Sequence, residues 1–372
     1  MSSGPILGGV LAFAVALLIS GVLTPLVREW ARRRDFVDRP SGTVGHKTHT
    51  VPTPFGGGIA ITVAILLPMA AILGLTAILR HADLTQIRLL TDHVPQWPYW
   101  LGGVVQKMPA ALAVVAGALV MHLLGIIDDH WPLSPYLKLA AQTAVALMLT
   151  AGFGIRAGDA LGPAPAAILT TLWIVALTNA FNFIDNMDGL AAGVAALTAV
   201  ILAISALLAG QVFVPCILLL VAGAATGFLF HNFPPASVFM GDAGSLVIGY
   251  MLGVCAVLTT YYDPQQQRTP YGLLVPLVVF AVPIYDIISV VINRCRRGVS
   301  IFQSDRHHFS HRLVKLGYSR RAAVLTIYLA TAATALPAML LPHLHWPGAL
   351  VIVLQCLIVV TLVAVLESRN DL

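Results

Sequence analysis

Residues 111–130 read ALAVVAGALVMHLLGIIDDH, an apolar run that stops on two adjacent aspartates, Asp128 and Asp129. A helical crossing of a bilayer takes about 20 apolar residues, and a span at 109–127 meets that length. An ionised carboxylate placed against hydrocarbon costs about 2.5–3.5 kcal/mol, so a membrane protein that keeps several at its spans has a use for them. The fold follows from the first part of this stretch and the chemistry from its last residues.

The same pattern recurs along the chain. Of 372 residues 58% are hydrophobic and only 10% charged, and the mean hydropathy is +0.87. Apolar runs at 5–27, 56–79, 109–127, 136–155, 165–183, 190–209, 213–230, 245–261, 271–292, 323–342 and 347–366 predict an all-α polytopic membrane protein of about 11 transmembrane helices. Helices are expected because lipid cannot satisfy open backbone groups. The first run lacks a basic leader and is followed by Arg32, Arg33 and Arg34, so it reads as a retained helix, not a cleaved signal. There is no internal repeat and no low-complexity linker, and residues 1–372 read as one integral-membrane domain. Cys216, Cys255, Cys295 and Cys356 stand singly, as packing residues do.

Sixteen of the 21 Lys and Arg fall in one set of loops, among them Arg28–Lys47, Lys138 and Arg294–Arg321. The positive-inside rule puts those loops in the cytoplasm, with the N-terminus outside and the C-terminus cytoplasmic. The pI of about 9.2 then reflects topology and anionic lipid or substrate; no nucleic acid is expected as a partner. The external loop near 80–108, with Trp97 and Trp100, is expected to lie along the interface.

Every polar cluster falls on the predicted cytoplasmic face, which predicts an active site there. After span 1 come His46-Lys47-Thr48-His49 and then Gly56-Gly57-Gly58. Glycines before a helix admit an anion to backbone N–H groups, with Lys47 as a point charge. A basic loop with a softened helix start would look the same. After span 3, adjacent Asp128 and Asp129 ask for a cation, with Mg²⁺ the usual oxygen-liganded choice, while Ser134-Pro135 makes a good helix start ahead of Lys138 and Gln142. At the end of span 5, Asn179, Asn182, Asp185 and Asp188 recur every three residues. If helical, they drift by about 60° per step and sweep around one wall of a cavity. After span 7, Asp242 sits between Gly241 and Ala243-Gly244 at a helix start, where it suits a metal ligand or an N-cap. After span 9, Arg306, His307, His308, His311 and Arg312 suit a phosphate clamp.

In this order the motifs resemble the polyprenyl-phosphate N-acetylhexosamine-1-phosphate transferase family over most of the chain. The shared pieces are Asp128-Asp129 through Lys138 and Gln142, the run Asn179 to Gly189, Phe239 to Ser245, and Pro283 to Asp286. The stretch Asp305–Leu313 is similar to the branch that starts O-antigen, enterobacterial common antigen or teichoic-acid synthesis, with Ser310 where that branch usually has a histidine. A serine there can still bond a phosphate oxygen. The resemblance implies transfer of a sugar-1-phosphate, GlcNAc-1-phosphate first, from a UDP-sugar donor to an undecaprenyl phosphate acceptor in the bacterial cytoplasmic membrane. UMP is released, in a reaction supported by Mg²⁺ with Mn²⁺ as the alternative ion. It implies Asp242 and Asn182 as metal ligands, Asp128 for the lipid phosphate's proton and Asp129 in support of metal or acceptor. Lys47, His49, Lys138, Arg306, His308, His311 and Arg312 would hold phosphates. Asn179, Asp185 and Asp188 would shape the nucleotide end, with Phe239 stacking on uracil. Membrane lipid is a further partner, and a homodimer is left open. The competing enzyme is a phospho-MurNAc-pentapeptide transferase. A secondary transporter would place its charges at mid-bilayer in inverted repeats, which this chain does not do.

Overall fold

The computed structural model describes residues 3–39, 52–80, 97–266, 268–300 and 309–368. Thirteen helices follow in order among them: α1 Ser3–Arg33, α2 Gly57–Leu79, α3 Trp97–His130, α4 Pro135–Leu147, α5 Pro163–Ile184, α6 Leu190–Leu208, α7 Phe213–Asn232, α8 Asp242–Leu258, α9 Val275–Val279, α10 Ala281–Arg296, α11 Phe309–Lys315, α12 Arg320–Ala338 and α13 Trp346–Ser368. A short antiparallel ribbon, β1 Val37–Asp38 with β2 Thr53–Pro54, pairs Val37 with Pro54. The protein is a multi-pass, all-α membrane protein.

All eleven sequence spans coincide with helix, yet by length and composition eight described helices can cross a membrane, or nine if one bent pair is a single span. The difference has local causes. The pair Pro270–Val279 and Ala281–Arg296 is bent by 61°, and Pro283 has no N–H for the carbonyl of Val279. Helix α8 is a 17-residue apolar helix. Helix α4 is 13 residues, prolonged by a π turn Met148–Gly152. Helix α3 departs the other way: it starts at Trp97, not near 109, and its 34 residues span about 50 Å. Trp100 lies where a Cβ on Gly4 of α1 would meet its ring, so the end of the expected interfacial loop is helix packed on α1.

Helix α8 is the centre of the bundle. Every residue from Ala243 to Ala256 is buried, with α2, α3, α5, α6 and α7 packed around it, and a helix that is apolar on all sides belongs in that place. Helix α1 lies along α7, where the absence of a side chain at Gly223 and Gly227 brings the backbones together against the carbonyls of Phe13 and Leu17. The centre positions the site: the first turn of α8 meets the last turn of α3 and the end of α5.

Candidate active site

A cavity of about 440 Å³ opens at this junction. Its wall includes Asp38, Phe55, Asp128, Asp129, Asp185, Asn186, Asp188, Asn232, Phe239, Asp242, His311 and Arg320. Residues from five sequence clusters that lie far apart in the chain thus face one space. Six of these side chains are carboxylates, a density that counter-ions or bound protons must support.

One wall is built on the ends of α3 and α8. Asp128 accepts from Leu133 N–H at 2.7 Å and from Lys138 Nζ at 2.9 Å. The same ammonium donates to Asp242 Oδ2 at 2.9 Å. Asn182 Nδ2 donates to Asp242 Oδ1 at 2.8 Å and to Ser245 Oγ at 3.0 Å. Asp242 is therefore held on both oxygens by neighbouring helices. Asp129 does something the sequence did not suggest: its carboxylate accepts from the N–H groups of Asp242 at 2.8 Å and Ala243 at 3.1 Å. It caps α8 from another helix, where orphan donors and the helix dipole favour an anion. Gly241 permits this, because its φ of 71° is left-handed and a Cβ there would stand 2.5 Å from Asp129 Oδ2.

The opposite wall is a turn. Helix α5 ends at Ile184, so the expected helical sweep through Asp188 stops after Asn182. Asn179 points away, donating to Gln142 Oε1 at 2.6 Å and Val175 O at 2.8 Å, and it is not part of the cavity wall. Asp188 accepts from Ala236 N–H at 3.0 Å. Asn232 braces the turn by accepting from Gly189 N–H at 2.8 Å and donating to Val238 O at 2.9 Å. Burial first, then the charges of Asp242, Asp129 and Asp188, pushes the Asp185 carboxyl well above its ordinary value. Among the described residues no ion pair involves Asp185 or Asp188.

Helix α11 forms a third side. Asp286 on α10 accepts from Phe309 N–H at 3.0 Å, which sets the helix so that His311 faces the cavity. Arg312 is buried and is not in the wall. Ser310 is buried too and its hydroxyl donates to Asn186 Oδ1, so the serine expected to meet a phosphate instead braces the turn beside it. Lys47, His49, Arg306 and His308 lie outside the described residues.

Two expectations at α2 and α4 change in the structure. The N–H groups of Gly57 and Gly58 donate to the carbonyls of Phe239 and Met240 at 3.0 and 2.9 Å, and a Cβ at Gly58 would fall 2.3 Å from Gly244 N. These glycines serve close packing of α2 on α8 and do not cradle an anion. Ser134 does precede α4 with Pro135 at its first position, but its hydroxyl makes no capping bond. Phe239 faces the cavity with Phe55 edge-on at 6.2 Å between ring centroids. Sequence reasoning also missed Asp38, Asn186, Asn232 and Arg320 as wall residues. Asn186 stood inside the run Asn179 to Gly189, Asp38 inside Arg28–Lys47 and Arg320 inside Arg294–Arg321, so the sequence held a signal for these three that was not read as a site.

Among the described residues no three His, Cys, Asp or Glu are already disposed as metal ligands. Mg²⁺ binds differently, through one or two carboxylates together with water and substrate phosphate oxygens, and Asp242 with its carboxylate neighbours fits that mode.

These features define a membrane protein with a polyanionic cavity at one end of its bundle. Residues 111–260 match the family described as Glycosyl transferase family 4. The chain is 33% identical over 329 residues to the "Probable undecaprenyl-phosphate N-acetylglucosaminyl 1-phosphate transferase" of Bacillus subtilis, covering 86% of this chain and 81% of the relative. It is 35% identical over 343 residues to the "Decaprenyl-phosphate N-acetylglucosaminephosphotransferase" of Mycobacterium tuberculosis, covering 84% and 78%. The "Undecaprenyl-phosphate alpha-N-acetylglucosaminyl 1-phosphate transferase" of Escherichia coli K12 is 28% identical over 262 residues, covering 67% and 70%. The chain belongs to glycosyl transferase family 4.

Proposed function

We propose that this protein transfers GlcNAc-1-phosphate from UDP-GlcNAc to undecaprenyl phosphate, with Mg²⁺, and so starts a lipid-linked glycan of the bacterial cell envelope. Transfer of GlcNAc-1-phosphate to a polyprenyl phosphate is the activity for which its relatives are named. The carrying observation is Asp242, held at the N-terminus of a buried helix by Asn182 and Lys138 and facing a cavity rich in carboxylates. The Lys and Arg distribution supports a cytoplasmic opening, the N-terminus outside and the C-terminus inside, in one integral-membrane domain.

The reaction joins two anionic substrates, so positioning and charge stabilisation dominate catalysis. An oxygen of the lipid phosphate attacks the sugar-bearing phosphorus of the donor. The bond from that phosphorus to the bridging oxygen breaks, and UMP leaves with the electron pair. Asp242 and Asn182 would hold Mg²⁺, which when bound would neutralise charge on the donor diphosphate. Asp128 takes the remaining proton of the lipid phosphate, a modest demand because a phosphomonoester's second pKa is about 6. Direct attack therefore needs no covalent aspartyl intermediate. Lys138 and His311 hold phosphate oxygens, joined by Lys47, His49, Arg306 and His308. Phe239, with Phe55 behind it, offers a face for uracil, and Asp185 and Asp188 border the nucleotide.

The test is UMP release by purified protein from UDP-GlcNAc, UDP-GalNAc and UDP-MurNAc-pentapeptide, each with undecaprenyl phosphate and Mg²⁺. Turnover with UDP-GlcNAc is expected. Turnover with the pentapeptide donor alone would replace this reading by the peptidoglycan-precursor reaction, and no UMP from any donor would overturn it.

A further inference from the structure

His122 lies inside α3, two turns before Asp129, and the reaction just described makes no use of it. The ring is buried, at 9% exposure, as is Thr62 on α2 beside it. His122 Nδ1 lies 2.9 Å from Ala243 O and 3.0 Å from Thr62 Oγ1. A carbonyl only accepts, so Nδ1 carries the ring proton and donates it to Ala243.

Three residues of α3, spaced i, i+3 and i+7, therefore meet one point of α8. Asp129 accepts from the N–H groups of Asp242 and Ala243. Gly125 lets the two backbones touch, since a Cβ there would lie 2.3 Å from Ala243 N. His122 donates to the carbonyl of that same Ala243. The spacing puts all three on one face of α3.

We infer that His122 is a positioning residue for Asp242: with Asp129 it holds Ala243 by the backbone groups on both sides of its Cα, the N–H and the carbonyl, and so fixes the first turn of α8. Satisfying a backbone group does not explain the bond, because a carbonyl in the first turn of a helix already has the N–H four residues on. Filling space does not explain it either, since an apolar side chain would do so without a polar group to desolvate. What an imidazole adds is a directed bond to the backbone of one residue, Ala243, the neighbour of Asp242. The consequence for turnover rests on the proposed function; the clamp itself does not.

The test uses the full chain in nanodiscs with three variants. Asparagine places an N–H near the position of Nδ1, glutamine places one near Nε2, and leucine places none. Hydrogen exchange of the backbone amides at 242–247 reads the clamp without any substrate. Exchange is expected to quicken in His122→Leu and His122→Gln and to stay near wild type in His122→Asn, with amides of α13 unchanged in all. UMP release then reads the consequence. In His122→Leu kcat should fall about ten- to a hundredfold, the scale of a misplacement near 1 Å, with the donor KM within about twofold of wild type and most of the loss recovered in His122→Asn. Unaltered exchange in His122→Leu would overturn the clamp, and quickened exchange with unchanged kcat would overturn its bearing on Asp242. A wild-type protein that releases no UMP would count against the proposed function, and the exchange comparison would still decide the clamp.

Discussion

The two walls of the cavity carry the same kind of group and treat it differently. On the α3–α8 wall, Asp128 and Asp242 share the Lys138 ammonium, and Asp129 is absorbed by the end of a helix. On the turn wall, Asp188 has one backbone donor, and Asp185 faces like charges that push its carboxyl up. The first wall is braced by donors of the fold, with one ammonium among three carboxylates. The second is left for something that binds. A cation or a cation-bearing substrate complex entering this space relieves the turn wall, whereas the α3–α8 wall holds its geometry beforehand, as an electrostatic catalyst requires.

The sharpest way to break this comparison is Asp242→Asn. It removes a negative charge from the wall that the fold already braces, so if that wall only supports the fold, turnover should survive. We expect UMP release to fall about a thousandfold at saturating Mg²⁺, far more than for Asp188→Asn. Comparable rates in the two variants would erase the distinction between the walls.

Next in size is Asp129. If its work is to cap α8, alanine should lower stability by about 1 kcal/mol and turnover about a hundredfold through displacement of Asp242. Asparagine keeps one acceptor oxygen and should fall between alanine and wild type. Melting temperature and UMP release measured on the same preparations check this. An asparagine variant as impaired as alanine would assign Asp129 a role that depends on its charge.

The legible part of this molecule is the part governed by composition and periodicity. Apolar length placed the long helices, though not the first turns of α3 or the short α11, and the confinement of polar clusters to alternate loops pointed to their meeting. Partners were not legible. Adjacent Asp128 and Asp129 look equivalent in sequence, yet successive helical residues point about 100° apart, so one reaches Lys138 and the other the end of α8. Asn179 and Asn182 belong to one repeating motif, but they face α4 and α8 respectively. Gly57 and Gly58 read as an anion loop because flexibility and close packing ask for the same residue. His122 left no signal beyond being polar inside an apolar run. Such a residue reads as incidental until the backbone opposite it is known.

A smaller effect sharpens the account of the turn wall. The folded protein holds Asp185 with its carboxyl raised well above the ordinary 3.8, so it binds a proton more tightly than the unfolded chain does. By linkage this contribution is fully present below about pH 4 and is lost as pH rises through the folded value. Asp185→Asn removes the dependence. Without Mg²⁺ the variant should therefore melt above wild type at neutral pH, and the gap should close toward pH 4. Mg²⁺ should act in the reverse sense, favouring the ionised carboxyl, so its stabilisation of wild type should grow with pH. A Mg²⁺ effect that is flat with pH would mean that the cation does not reach this wall.

The smallest effect concerns the serine that stands where a histidine was expected. Ser310 is buried and bonded to Asn186, one residue from Asp185, so it acts on the turn and not on a phosphate. Ser310→Ala leaves the half-buried Asn186 amide oxygen short of one donor, a loss of about 1 kcal/mol, and should change the donor KM by less than about threefold. Ser310→His is the more telling substitution. A histidine cannot occupy so enclosed a position without moving α11, and with it His311. If Ser310→His nonetheless matched wild type in stability and turnover, the turn wall would be adjustable at this point, and the contrast between a braced wall and a receptive one would have to be drawn one residue further out, at Asn186.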